Sequence, residues 1–187
     1  DEFRINEKTV VLGGLRYNLF GLDADFSSNL PFFPLPTAEA SLGQGALTGS
    51  LGMVYKPNSK WILKANLGSA FRAPNVDDIG RVFDSEPGVV IVPNADLDAE
   101  YAYNADISLA HIIWDRVKVD FTAFYTLLDQ AMVRRDFRLN GQDSIVYDGT
   151  LSRVQAFQNA AQANVYGVQF GLKAKLPYGL TLSADFN

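Results

Sequence analysis

A chain of 187 residues with 48% hydrophobic and 20% charged side chains has the composition of an ordinary folded protein. A net charge of −5 with no basic stripe speaks against a nucleic-acid surface, and the absence of cysteine excludes disulfide frameworks and thiolate metal sites. No run of roughly 18 or more apolar residues offers a membrane-spanning helix, which leaves open a membrane barrel, whose strands are only half apolar. The chain opens at Asp1 without methionine or signal peptide and stops at Asn187 inside an alternating run, so it reads as an internal piece of something larger.

The first expected strand is Thr9 to Phe20, with Val11, Leu15 and Tyr17 against Leu12, Gly14 and Arg16. Phe26 to Gln44 reads as a loop, punctuated by serines, three prolines and Gly43. Ala46 to Lys56 alternates, Pro57-Asn58-Ser59 turns, and Trp61 to Arg72 alternates more strictly still. There Trp61, Leu63, Ala65, Leu67 and Phe71 oppose Lys64, Asn66, Gly68 and Arg72. Pro74 ends the pattern, since proline removes a ladder donor and restricts the residue before it.

Val76 to Leu97 is expected to be a long connection rich in Asp, Pro and Gly. Alternation returns at Ala99 to His111 and, after a tight turn at Trp114-Asp115-Arg116, at Val117 to Leu127. Gln130 to Ala163 is long and mostly polar, with Asn140-Gly141 as a hairpin tip between protruding strands. Val165 to Leu176 alternates again, Pro177-Tyr178-Gly179 turns, and Leu180 to Phe186 begins one more strand.

Connections thus alternate between long and short, and each strand has one apolar and one polar stripe. An all-β antiparallel meander of this kind, with short turns at one end and long loops at the other, has the pattern of part of a transmembrane β-barrel. Closure follows from lipid, which leaves no partner for an open strand edge. The apolar stripe then faces lipid, the polar stripe faces the lumen, and tyrosines and tryptophans near strand ends suit interfacial girdles. A soluble secreted β-sandwich that binds a ligand, or a complete small porin or adhesin-like barrel, also accommodates the alternation.

Four stretches carry a resemblance. FRAPN at 71–75 is followed by PNADLDAEYAYNADISL at 93–109, with Asn94, Leu97, Glu100 and Asn104 at its marked positions. VDFTAFYTLLDQAMVRR at 119–135 and NAAQANVYGVQFGLKAKLPYGLTLSADF at 159–186 follow in order. Together they resemble the barrel of TonB-dependent outer-membrane receptors, with Ala99 where proline is usual and Gln169 where glutamate is common. The resemblance implies a barrel of about twenty-two strands around an N-terminal plug. Residues 1–187 supply about seven strands from its later half, with plug and final strands absent. It further implies energised uptake of a scarce large ligand at the Gram-negative outer membrane: a ferric siderophore or other metal chelate, a vitamin or a glycan. Expected partners are membrane lipid and, through the plug, TonB. Haem-uptake members carry a loop histidine between the first two motifs, and none lies between Phe71 and Leu97.

Catalysis finds no support. His111 is the only histidine and sits on an apolar stripe, so a triad or histidine-rich metal site is excluded within this chain. No phosphate-binding or nucleophile motif occurs, and no metal or cofactor is expected. Binding belongs to the long loops. One charged set contains Asp77, Asp78 and Arg81, near Arg72 and Asn75; another contains Arg134, Arg135 and Arg138. These residues are either solvated loop faces or ligand contacts, the arginines offering forked hydrogen bonds to an anionic chelate.

Overall fold

The computed structural model describes residues 1–25, 27, 39–75, 78–79, 82–94 and 96–187. They form one twisted, unclosed sheet. Its consecutive wall strands are β1 (Glu2–Asn6), β2 (Thr9–Asp25), β3 (Glu39–Asn58), β4 (Trp61–Arg72), β7 (Glu100–Ile113), β8 (Val117–Asp136), β10 (Thr150–Lys175) and β11 (Thr181–Phe186). Each pairs antiparallel with the next in that order. Three short strands decorate the long-loop end: β5 (Phe83–Glu86), β6 (Val89–Ile91) and β9 (Ser144–Tyr147). The β5–β6 hairpin docks on β10 through the single parallel pairing among the described residues, Val89–Ile91 against Arg153–Gln155.

Register carries each stripe straight across the sheet. Tyr55, Leu63, Leu109, Phe121, Phe170 and Phe186 occupy one row of directly opposed residues, and Lys64, Ser108, Thr122 and Gln169 occupy the next, on the other face. The apolar face lies bare: Leu15 is 84% exposed and Ile107 58%. On the polar face Asn66 donates to Asp106 at 2.8 Å, and Ser108 and Thr122 share a hydrogen bond of 2.8 Å.

The turns expected at Trp114-Asp115-Arg116 and Asn140-Gly141 are present, with positive φ at Trp114, Asp115, Asn140 and Gly141. Asn140-Gly141 closes only an isolated bridge between Leu139 and Gln142, and the hairpin tip between protruding strands is instead Asp148-Gly149, also at positive φ, the geometry that matches the twist of a hairpin. Several boundaries differ from expectation. β1 carries too little alternation in five residues to be read ahead. β3 starts at Glu39, not Ala46, because Gly43 and Gly45 are strand glycines: Tyr17 lies across Gly45, leaving no room for a Cβ. β8 runs to Asp136 and β10 starts at Thr150, well past the expected Leu127 and Val165. At 20 and 26 residues they exceed the 9–11 or so that a membrane needs. Their upper halves lose alternation at a bulge, with Gln130 at φ 54° and register shifts between Asn159 and Ala163.

The buried clusters sit at the long-loop end, where the long connections pack on the extended ends of β8 and β10. Ile79, Leu97 and Met132 form one cluster, with Leu22 and Phe157 against it. Val90, Val92, Leu139, Val154 and Ala156 form a second. Alternation along β10 puts Phe157 on one face and Val154 and Ala156 on the other, so the clusters cover opposite faces of that strand.

Candidate functional site

The connection after β4 is fastened to the rim by the motif residues themselves. Asn75 and Asp78 bond reciprocally, Asn75 N–H to Asp78 Oδ2 at 3.0 Å and Asp78 N–H to Asn75 Oδ1 at 3.0 Å, the pattern of a capping box. Asp78 is 7% exposed and accepts from Arg72 Nη2 at 2.9 Å. The other arm of that guanidinium, Nη1, donates to Glu100 Oε1 at 3.0 Å. Glu100 in turn accepts the Met132 N–H through Oε2 at 2.7 Å. Arg72, Asn75 and Asp78 therefore direct their hydrogen bonds into the protein. Asp77 and Arg81 lie outside the described residues.

Asn94 and residues 96–100 then cross the polar face of the rim as a strap. Leu97 is buried between Ile79 and Met132. Asn94 Nδ2 donates to the Phe157 carbonyl at 2.8 Å. Gln44, from β3, donates through Nε2 to Asp98 Oδ1 at 2.7 Å and accepts the Ala99 N–H through Oε1 at 3.1 Å. Asn159, from β10, accepts the Asp98 N–H and donates to the Asp98 and Gln130 carbonyls, all within 2.9 Å. Four strands are thereby tied across the mouth. Asn94, Leu97 and Glu100 stand out in the sequence; Gln44 and Asn159 do not, since their role depends on strands far away in the chain.

What remains open to solvent is the arginine set of the β8–β10 hairpin. The Arg134 guanidinium packs over two rings, 5.7 Å from the Phe83 centroid and 5.5 Å from that of Phe157. Among the described residues no carboxylate pairs with Arg134 or Arg138. Arg135 donates to the Ala160 carbonyl at 3.0 Å. Beside them Arg153 bonds Asp136 and holds its carboxyl below the usual carboxylate range. The strap positions this set: Asn94 fixes the backbone of Phe157, and Phe157 supports Arg134. His111 stands at the opposite end of the sheet, stacked on Trp61 at 4.0 Å, and belongs to the apolar face.

A family model described as TonB dependent receptor-like, beta-barrel, matches residues 1–187. The chain belongs to the TonB-dependent receptor β-barrel family. That membership sets aside the sandwich and small-porin readings. Solved structures agree on the fold. The chain is similar to a mutant of the ferric enterobactin receptor PfeA from Pseudomonas aeruginosa, with TM-score 0.70 and 16% identity over 98% of this chain and 24% of that one. It is similar to the siderophore receptor PirA of the same species, TM-score 0.70, 18% identity, over 98% of this chain and 31% of that one. It is also similar to a double mutant of the Serratia marcescens hemophore receptor HasR, solved with HasA and heme, TM-score 0.66, 15% identity, over 96% of this chain and 32% of that one. The chain thus spans a quarter to a third of these receptors. None of the curated proteins matches it by sequence. Members of the family are receptors and transporters, not enzymes.

Proposed function

We propose that this chain is wall and outer rim of an outer-membrane receptor that takes up an anionic ferric chelate, a siderophore. The apolar face meets lipid, the polar face lines the lumen, and energy comes from TonB through a plug within the full receptor. Ligand contact falls on Arg134; Arg135, the next residue of β8, lies on the other face of the strand and is spent on the Ala160 carbonyl, while Arg72, Asn75 and Asp78 hold the strap. One observation carries this reading. Arg134 is an exposed guanidinium packed against two rings, with no carboxylate paired to it among the described residues, so its N–H fork is held ready for an oxyanion.

The test is binding of an anionic ferric tris-catecholate to the full gene product in outer-membrane vesicles. Arg134→Ala is expected to weaken binding about tenfold, equivalent to about 1.4 kcal/mol. Wild-type protein that binds neither this complex nor other anionic ferric chelates overturns the reading, and a cobalamin or an oligosaccharide becomes the ligand to try.

A further inference from the structure

Every lysine of the chain lies in the half of the sheet nearer the short turns, together with Arg4 and Arg116, whereas Arg72, Arg134, Arg135, Arg138 and Arg153 gather toward the long connections. Lys64, Lys118, Lys173 and Lys175 share the polar face and are exposed. Lys118 stands directly opposite Lys173 on the neighbouring strand, an arrangement of like charges that weakens a sheet. Asp120 offsets Lys118, with Nζ to Oδ1 at 2.7 Å. Lys64, Lys173 and Lys175 have no carboxylate partner among the described residues.

We propose that these lysines form an electrostatic track along the inner wall, drawing a small anionic ligand from the rim toward the short-turn end. The inference rests on the reading of the rim as an anion site and adds a second, separable step to it. Residue type agrees with the division of labour. Arginine holds an oxyanion in fixed geometry and suits capture. Lysine is a hydrated point charge on a flexible stem, attracting without fixing, and suits passage.

The experiment compares Lys64→Gln/Lys173→Gln/Lys175→Gln with the same three positions changed to arginine, in the full gene product. Surface binding, cellular uptake of a ferric tris-catecholate, and ligand-free melting temperature are read separately. The glutamine variant is expected to lose about tenfold in uptake rate, with binding and melting unchanged, and the arginine variant, which keeps the charge but holds an oxyanion more tightly, to fall between the glutamine variant and wild type. Uptake unchanged by glutamine, or not partly rescued by arginine, overturns the track. So does uptake that falls together with melting temperature, which assigns the lysines to an acidic polypeptide packed in the lumen. A wild-type protein that fails to bind the complex marks failure of the rim reading instead.

Discussion

Arg72 and Glu100 face each other across β4 and β7, the guanidinium donating to the carboxylate at 3.0 Å, and through this pair the two most recognisable stretches of the sequence meet. Neither residue is a lone surface charge. Arg72 also reaches Asp78 in the connection, and Glu100 also caps the bulged backbone of β8 at Met132. One ion pair thus closes the beginning and end of a long loop onto the wall.

Arg72→Ala leaves Asp78 with the Asn75 N–H alone and Glu100 with the Met132 N–H alone. Arg72 is half exposed, so the expected loss is at the lower end of about 1–3 kcal/mol. Hydrogen exchange in a bilayer is expected to accelerate at 78–79 and 96–99 while β7 and β8 stay protected. Unchanged exchange there means the pair contributes nothing to holding the loop.

Asn159→Ala removes three hydrogen bonds from the strap at once. Cleavage by an added protease between residues 92 and 99 is expected to speed up severalfold with the sheet intact. Asn159→Asp keeps the acceptor and loses both donations, so its rate should fall between wild type and alanine.

Two substitutions on one strand distinguish the faces. Ile107 lies on the apolar row between Ala65 and Ala123, and Asn104 points to the polar side between Gly68 and Thr126. Ile107→Arg is expected to cost about 2–4 kcal/mol on refolding into lipid, and Asn104→Arg under about 1 kcal/mol. Equal costs contradict the assignment of lipid and lumen.

The Asp136–Arg153 pair sets a pH response outside the wall. Asp136 has its pKa lowered chiefly by the Arg153 hydrogen bond. A lowered folded value means the contribution is complete above the unfolded carboxylate pKa, about 3.9, and is lost as pH falls through the folded one. The Arg153 side-chain NMR signal in micelles should therefore hold steady from about pH 8 to 5 and shift only in stronger acid. Asp136→Asn should abolish the shift. A transition near neutrality contradicts the pairing.

The wall was legible because lipid on one side and water on the other force a period of two, and Leu63, Leu109 and Phe121 follow it without exception. The rim was not, and the reason is physical. Above the apolar band the upper parts of β8 and β10 lose that forcing, so Gln130 and Asn159 alternate nothing. Gly45 falls outside the expected strand because the reason for it, the Tyr17 ring, lies on another strand. For the site, the arginines at 134, 135 and 138 could be picked out by charge. The burial of Asp78, and the tie from Gln44 to Asp98, emerge only once distant strands are side by side.

The parallel pairing of β6 on β10 has a bearing on how tall the barrel can stand. β6 occupies the same edge of β10 that β11 uses lower down, with Val89–Ile91 meeting Arg153–Gln155. Any strand climbing that edge from β11 is halted at Gln155, whatever its length. The height of the wall at this point is therefore set by a loop from four strands back, and shortening that loop would let the neighbouring strand grow rather than leave a gap.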